Sequence, residues 1–251
     1  MTLATWTAGQ HTATDLTGRE LTFPTYRKGE GPGVIVIHEI PGMIPEVIAF
    51  GEEVVAAGHT VVMPSLFGRP GRPAGLGEVL RSAVQVCIRR EFTKLARRQT
   101  SPVAGWLRSL AHELHGELGG PGVGALGMCF TGGFALAMMV DESVAAPVLC
   151  QPSTPFPVGR ERAADVNLSP ADLEVVRRRT AAGCQVLGLQ YADDRVTGTR
   201  FDTLTDQLGD AFIRIDFEGA GHSTVTVDRQ QAGVDRVLAF FDQRLRAEPA
   251  H

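Results

Sequence analysis

Strand-like and helix-like segments alternate along almost the whole chain. Apolar runs rich in β-branched residues predict strands at residues 33–38, 60–63, 123–128, 144–150, 184–191 and 211–217. Helical patterns lie between and after them, at residues 44–57, 84–98, 103–118, 130–140, 171–180, 201–208 and 227–245. This order predicts an α/β fold with a mostly parallel central sheet flanked by helices on both faces. Because no repeat or linker interrupts it, we expect one domain over residues 1–251.

The composition excludes several classes of protein. A chain of 251 residues with 43% hydrophobic and 21% charged residues has the composition of an ordinary globular protein. Its net charge of -4 gives no reason to expect nucleic acid or an acidic membrane surface as a partner. No apolar run approaches the roughly 20 residues that span a bilayer. Residues 1–15 lack the pattern of a secretory signal, so we expect a cytoplasmic protein.

The cysteines do not form a recognisable metal or disulfide pattern. Cys87, Cys129, Cys150 and Cys184 are widely spaced, without a C-x-x-C pair or a Cys/His cluster of zinc-ligand spacing. We therefore expect free thiols in a reducing compartment and no bound metal.

The stretch around Cys129 has the layout of a nucleophile elbow. A predicted buried strand, 123–128, runs directly into a small-residue helix, 130–140, through the pattern Gly-x-Cys-x-x-Gly. In such a turn the central residue is strained and exposed above the sheet, and its neighbours are small because backbones approach closely. The alternative is that Cys129 is a small buried hydrophobic residue, as many free cysteines are.

Two later segments could supply the groups that activate a thiol. A nucleophile needs a base to take its proton, and the base needs an orienting group. His222 lies in the small-residue loop 219–223, between the last predicted strand and the last helix. Asp193 and Asp194 follow the preceding strand. The order of Cys129, acid and histidine along the chain is that of α/β-hydrolases.

Two neighbouring aspartates compete for the role of the acid. Asp193 is our first choice because it lies three residues before the apolar Val196, the usual spacing of this acid. Asp194 is the second choice.

Together these segments resemble the dienelactone hydrolase family of α/β-hydrolases. The resemblance covers nearly the whole chain after residue 20, and a cysteine nucleophile combined with an early glutamate distinguishes this family. It implies hydrolysis of an ester or lactone through a thioester intermediate, without a cofactor. It rests on residues 34–42, residues 58–68, the elbow at Cys129, the segment at Asp193 and residues 220–223.

The resemblance also implies further site residues. It makes Glu39 a fourth catalytic residue, which interacts with the resting thiol and accepts its proton when substrate arrives. The chemistry agrees, because a thiol has a pKa of about 8.5 and a neighbouring carboxylate would keep it protonated. The alternative is an exposed glutamate at a strand end. The backbone N–H of Phe130, at a helix N-terminus, is expected to form the oxyanion hole, and the resemblance adds that of Ile40.

The chain departs from the family at two positions. The family often has glycine at the position of Thr131, and its dienelactone-cleaving members have an arginine at the position of Thr226. Arg89 and Arg90 could instead hold a substrate carboxylate, although a solvated helix face is the alternative for them. The substrate thus remains open between dienelactone and a less acidic ester or lactone.

Two other functions also remain open from the sequence. One is a non-catalytic or regulatory protein that retains the hydrolase fold, and the other is a redox-sensing thiol at Cys129. The intact acid and histidine segments favour hydrolysis, because a sensor needs neither. The expected partner is a small-molecule ester or lactone, and the chain is expected to be a monomer or a small homo-oligomer.

Overall fold

The computed structural model describes residues 2–88, 90–92 and 96–246. Its centre is an eight-stranded sheet of order β1-β2-β4-β3-β5-β6-β7-β8. β1 pairs antiparallel with β2, and β2 with β4, whereas all pairs from β4 to β8 are parallel. The strands are β1 (Thr7–Thr14), β2 (Glu20–Lys28), β3 (Gly33–Ile37), β4 (Thr60–Pro64), β5 (Val123–Met128), β6 (Val144–Cys150), β7 (Val186–Tyr191) and β8 (Phe212–Phe217).

Helices cover both faces of the sheet. Trp106, Phe134 and Phe201 pack into the core on one face, and Phe50 and Phe240 pack into the core on the other. Strands β3 to β7 are buried along most of their length because both faces are covered, whereas β8, at the edge of the sheet, is partly exposed. The predicted α/β architecture is therefore confirmed. The helices are α1 (Pro45–Ala56), α2 (Leu76–Ile88), α3 (Val103–Leu118), α4 (Gly132–Met138), α5 (Arg160–Ala163), α6 (Pro170–Ala181), α7 (Arg200–Leu208) and α8 (Gln231–Leu245).

The antiparallel hairpin of β1 and β2 was not predicted from the sequence. It lies at the edge of the sheet, so most of its side chains are at least partly exposed. Only His11 in β1 and Phe23 in β2 are buried. The hairpin therefore lacks the continuous apolar run that identifies the inner strands.

The position predicted for the helix at residues 84–98 is wrong. The helix in this region is α2, which begins at Leu76, within a segment whose glycines and prolines are typical of a loop. It ends at Ile88, and residues 89 and 93–95 lie outside the described part of the chain. The helix predicted at 130–140 is divided into a one-turn 3-10 helix at Cys129–Thr131 and α4.

The carboxyl ends of the parallel strands bring the candidate residues to one edge of the sheet. Glu39 follows β3, Cys129 follows β5, and Gln151 follows β6. Asp194 and His222 follow β7 and β8. Open α/β sheets bind their ligands at this edge. Within the described ranges, no helix is long and apolar enough to cross a bilayer.

Candidate active site

Cys129 occupies a strained turn at the end of β5. Its φ is 51°, in the left-handed region that residues other than glycine rarely adopt. Its carbonyl accepts a hydrogen bond of 2.9 Å from the backbone N–H of Ser153. A Cβ atom on Gly127 would lie 2.2 Å from the carbonyl oxygen of Thr131, so the turn requires glycine there. The backbone thus has the elbow conformation that the sequence predicted, with a half-buried thiol at its apex.

Thr131 connects this elbow to the end of β3. Its buried hydroxyl accepts a hydrogen bond from the backbone N–H of Met128 at 3.1 Å. The same oxygen lies 3.1 Å from the carbonyl oxygens of both Ile37 and His38, to which it can donate. A glycine at position 131 could not make these bonds. The threonine at position 131, where the family often has glycine, therefore fixes the elbow to the end of β3, the strand that leads to Glu39.

Asp194, rather than Asp193, contacts the histidine. Oδ2 of Asp194 lies 2.7 Å from Nδ1 of His222. The side chain of Asp193 is exposed, so its assignment as the orienting acid is wrong. Asp194 closes a turn with the carbonyl of Tyr191 at the end of β7, and adjacent residues of a turn point in different directions. The spacing to Val196 could not distinguish those directions.

The carboxylate of Asp194 is held by several donors. Thr197 Oγ1 donates to Oδ2 at 2.6 Å, and the backbone N–H of Val196 donates to Oδ1 at 2.9 Å. Burial acts to raise the pKa of Asp194, but hydrogen bonds from His222 and Thr197 outweigh burial and lower it. Asp194 is therefore an ionised acceptor for the imidazole.

The loop that carries His222 is fixed by its own hydrogen bonds. Oδ2 of Asp228 accepts from the backbone N–H groups of His222 at 2.8 Å and Ser223 at 3.1 Å. A Cβ on Gly221 would lie 2.6 Å from the ring of Tyr191, so the small residue noted in the sequence permits a close approach here. These contacts hold the imidazole between the acid and the elbow.

Cys129 and Asp194 both act on the charge of His222. Burial acts to lower the pKa of His222, but the hydrogen bond to Asp194, followed by the effect of Cys129, outweighs burial, and the pKa rises to about 10. The other ring nitrogen, Nε2, is buried and has no hydrogen-bond partner among the described residues. The structure brings the nucleophile candidate, the base and one of the two predicted acids together.

Ser153 is a neighbour of the thiol that the sequence did not identify. Its buried Oγ lies 3.4 Å from Sγ of Cys129. The only signal in the sequence was that residues 151–164 form a loop after a strand, where walls of a ligand pocket are expected. Nothing in the loop's composition distinguishes Ser153 from its neighbours.

Glu39 is buried, with 2% of its surface exposed, which excludes the alternative of an exposed strand end. Its Oε2 accepts a hydrogen bond of 2.9 Å from Ser223 Oγ, and its Oε1 accepts one from Thr226 Oγ1. Burial raises the pKa of Glu39, against the opposing effect of these bonds, the charge of His222 and a bond from Gln151. The carboxylate is thus bonded to Ser223 and Thr226, which follow His222 in the chain. The resemblance implied instead that it contacts the thiol of Cys129.

The two predicted oxyanion-hole residues lie on neighbouring strands. Phe130 is buried in the 3-10 turn after β5, and Ile40 is half-buried after β3. β3 and β5 pair in parallel, with Ile37 opposite Gly127. Both amides therefore belong to the edge of the sheet at which Cys129 lies.

Of the two predicted arginines, Arg90 does not join this group. Arg89 lies outside the described residues. Arg90 is exposed and lines a separate cleft with Arg19 and Glu91. Arg229, the arginine nearest in sequence to Thr226, makes a two-pronged ion pair with Glu53, at 2.8 and 2.6 Å.

A surface cleft of about 740 Å³ lies beside Asp194 and His222. It is large enough for a small organic molecule. The described residues contain no group of three or more His, Cys, Asp or Glu side chains that could hold a metal ion. The cleft is lined by Ala192, Asp193, Asp194, Arg195, Val196, Gly198, Thr199, Ala220 and His222.

A strained strand-to-helix turn over a mostly parallel sheet, with an acid and a histidine meeting beside it, occurs in the α/β-hydrolases, and the fold places this chain among them. The sequence model of the dienelactone hydrolase family matches residues 21–235. The chain therefore belongs to the dienelactone hydrolase family and is a hydrolase of ester or lactone bonds.

Several solved structures share this fold. A putative dienelactone hydrolase from Klebsiella pneumoniae is 18% identical with a TM-score of 0.60, over 95% of this chain and 99% of that one. A dienelactone hydrolase from Anabaena variabilis is 14% identical with a TM-score of 0.62, over 95% and 99%. A cold-adapted esterase from an Arctic intertidal metagenomic library is 17% identical with a TM-score of 0.60, over 96% and 95%. A comparison with curated protein sequences found no match.

Proposed function

We propose that this hydrolase uses Cys129 as its nucleophile and forms a thioester intermediate. The observation that carries the proposal is the position of His222, whose Nδ1 is bonded to Asp194 and whose Nε2 is buried without a partner, at the edge of the sheet where Cys129 occupies the strained elbow. The raised pKa of His222 supports its role as the base that takes the proton of the thiol. A thiolate is the reactive form of cysteine.

The reaction has two steps. In the first, Sγ of Cys129 attacks the carbonyl carbon, and His222 gives the thiol's proton to the leaving alkoxide as the ester bond breaks. In the second, His222 takes a proton from water, whose oxygen attacks the thioester and releases the acid and the thiol. Asp194 orients the imidazole in both steps, and the N–H groups of Phe130 and Ile40 donate to the oxyanion.

Glu39 is proposed to control the proton of the thiol. Its burial and raised pKa support this role, because a carboxylate of raised pKa accepts a proton more readily than an ordinary glutamate does. The charge of His222 also acts on Glu39 and lowers its pKa, against the effect of burial. To reach the thiol, Glu39 must exchange its bond to Ser223 or to Thr226.

The substrate proposed is an ester or lactone without a carboxylate near the reacting carbonyl. Thr226 occupies the position of the family's carboxylate-binding arginine and donates to Glu39. Arg229 is paired with Glu53. A substrate carboxylate near Thr226 would thus approach the buried Glu39 without the arginine that the family pattern has at this position. The catalytic efficiency with an aryl ester should exceed that with the same ester bearing a carboxylate.

The proposed setting is a reducing compartment such as the cytoplasm. Cys129, Cys150 and Cys184 are all free thiols. A nucleophilic thiol stays reduced where glutathione and thioredoxin act.

The decisive experiment is to trap the acyl-enzyme. Wild type is mixed with an aryl ester, quenched in acid and examined by mass spectrometry, and the acyl group should be found on the peptide containing Cys129. Cys129→Ala should lose both the adduct and turnover, whereas Cys184→Ala, a matched change at a half-buried thiol, should keep both. Full turnover by Cys129→Ala would contradict the proposal.

A further inference from the structure

Helix α2 exposes an apolar face. Leu76 is 86% exposed, Leu80 65%, Val84 51% and Val79 40%. Residues spaced by three or four positions lie on one side of a helix, so these side chains form a continuous stripe. A stripe of this kind on a surface helix marks an interaction site when it is contiguous.

The opposite side of α2 is bound to the protein through polar groups. The buried Ser82 Oγ donates to the carbonyl of Pro41, and Oε1 of Gln85 accepts from the backbone N–H of Gly68 at 2.8 Å. Val86 is buried on the same side. Rotating the helix to bury its apolar stripe would break both bonds. The outward direction of the stripe is therefore fixed, and Ser82 ties it to the loop after Ile40.

The surroundings of the stripe are positively charged. Residues 69–88 contain three arginines, Arg69, Arg72 and Arg81, and one glutamate, Glu78, so their net charge is 3 − 1 = +2 in a chain of net charge -4. A hydrogen bond from Arg69 and the charges of Arg81 and Arg72 lower the pKa of Glu78. Arg72 and Arg81 are exposed and make no ion pair in the part of the chain that the structure describes.

We propose that the α2 face, formed by Leu76, Val79, Leu80 and Val84 with Arg72 and Arg81, binds an anionic lipid surface. An amphipathic helix binds such a surface by inserting its apolar side chains while its arginines contact the headgroups. A second copy of the chain would also cover the stripe, but two copies would bring like charges together. The net charge of the whole chain, -4, gives no sign of this local positive charge.

Docking on lipid would have a consequence for the reaction. The bond from Ser82 to Pro41 places α2 beside the loop that carries the proposed oxyanion residue Ile40. A docked molecule would therefore hold its active-site edge near apolar esters that partition into the lipid. Binding itself requires no turnover, so it can be measured separately from the proposed reaction.

The test is sedimentation of the protein with vesicles of phosphatidylcholine, with and without phosphatidylglycerol. Wild type should sediment with the anionic vesicles only, and high salt should reduce its binding. Arg72→Gln with Arg81→Gln should weaken partitioning about fivefold for each arginine. Leu76→Ser with Leu80→Ser should weaken it about tenfold or more. Val158→Ser, at another exposed apolar residue, should have no effect.

Three results would overturn the proposal. Wild type could fail to bind anionic vesicles, or both double variants could bind them as wild type does. The third result is a dimer in light scattering that Leu76→Ser with Leu80→Ser dissociates, which would assign the face to a second copy. Circular dichroism checks that the variants are folded, and the salt dependence of wild type tests the charge contribution without any variant.

Discussion

Thr226 Oγ1 donates a hydrogen bond to Oε1 of Glu39, a residue 187 positions earlier in the chain. Both side chains are buried. A neutral hydroxyl thus partners the carboxylate at the position where dienelactone-cleaving relatives place a cation. Ser223 supplies the second hydroxyl, so each oxygen of Glu39 has a donor.

Removing this hydroxyl should destabilise the folded state. Thr226→Val keeps the shape of the side chain but leaves Oε1 of Glu39 without its donor, which should cost about 1–3 kcal/mol in the free energy of unfolding. Urea denaturation at pH 7 measures the loss. Thr205→Val, which removes a hydroxyl that bonds to the carbonyl of Phe201 on the exposed side of α7, should cost less than about 0.5 kcal/mol.

The effect of Thr226→Val should depend on pH. The folded-state pKa of Glu39 is raised above its ordinary value of 4.5, so the stability of the folded state falls as pH rises from that value through the folded-state pKa. Losing a donor to the ionised form raises this pKa further, so the fall continues to higher pH in the variant. The difference between wild type and Thr226→Val should therefore grow once pH exceeds the folded-state pKa of Glu39 in wild type, and a difference that is constant with pH would count against an ionised Glu39.

The two aspartates after β7 should differ sharply in their importance for turnover. Asp194→Asn replaces the anionic acceptor of His222 and favours the wrong tautomer of the ring, so kcat should fall about 10³–10⁴-fold. Asp193→Asn changes an exposed side chain and should alter kcat less than about threefold. Steady-state kinetics with one aryl ester compares the pair. Equal losses in the two variants would remove Asp194 from its proposed role.

The inner part of the fold could be predicted from the sequence, because β3 to β7 are buried and therefore apolar. The partly exposed edge strand β8 was also predicted, because Phe212, Ile213, Ile215 and Phe217 keep it largely apolar. The β1–β2 hairpin could not be predicted, since its strands carry mostly polar, exposed side chains. Helix α2 was misplaced for a related reason. Its apolar residues face outward, and its glycine-rich start is typical of a loop.

The sequence could predict only those site residues that lie in a recognisable local pattern. Cys129 and His222 lie in small-residue turns that the backbone requires, and these are visible in sequence. The choice between Asp193 and Asp194 depends on which way each side chain leaves a turn, which spacing does not encode. The bond from Thr226 to Glu39 and the contact of Ser153 with Cys129 join distant segments, so only the folded chain brings them together.

Ser153 should act as a positioning residue for the nucleophile. Its hydroxyl lies 3.4 Å from Sγ of Cys129, where it can donate to the thiolate. A hydrogen bond to a charged group contributes about 1.5–3 kcal/mol, so Ser153→Ala should slow alkylation of Cys129 by iodoacetamide at pH 7 by about tenfold or more. Ser143→Ala, at a buried serine before β6, serves as the control. Unchanged alkylation in folded Ser153→Ala would show that the hydroxyl does not act on the thiolate.

The titration of His222 should report the charge of the thiol. The pKa of His222 is raised to about 10 by Asp194 and Cys129 together, against the effect of burial. Cys129→Ala removes one contribution and leaves the bond to Asp194, so the pKa of His222 should fall below the wild-type value, as measured by NMR of the imidazole. A raised histidine pKa stabilises the folded state fully below the unfolded value of 6.5, and this stability is lost as pH rises toward 10. Wild type should thus lose stability over that range, and Cys129→Ala should show a smaller loss that is complete at lower pH. Identical titration curves would show that the thiol and the imidazole are not coupled.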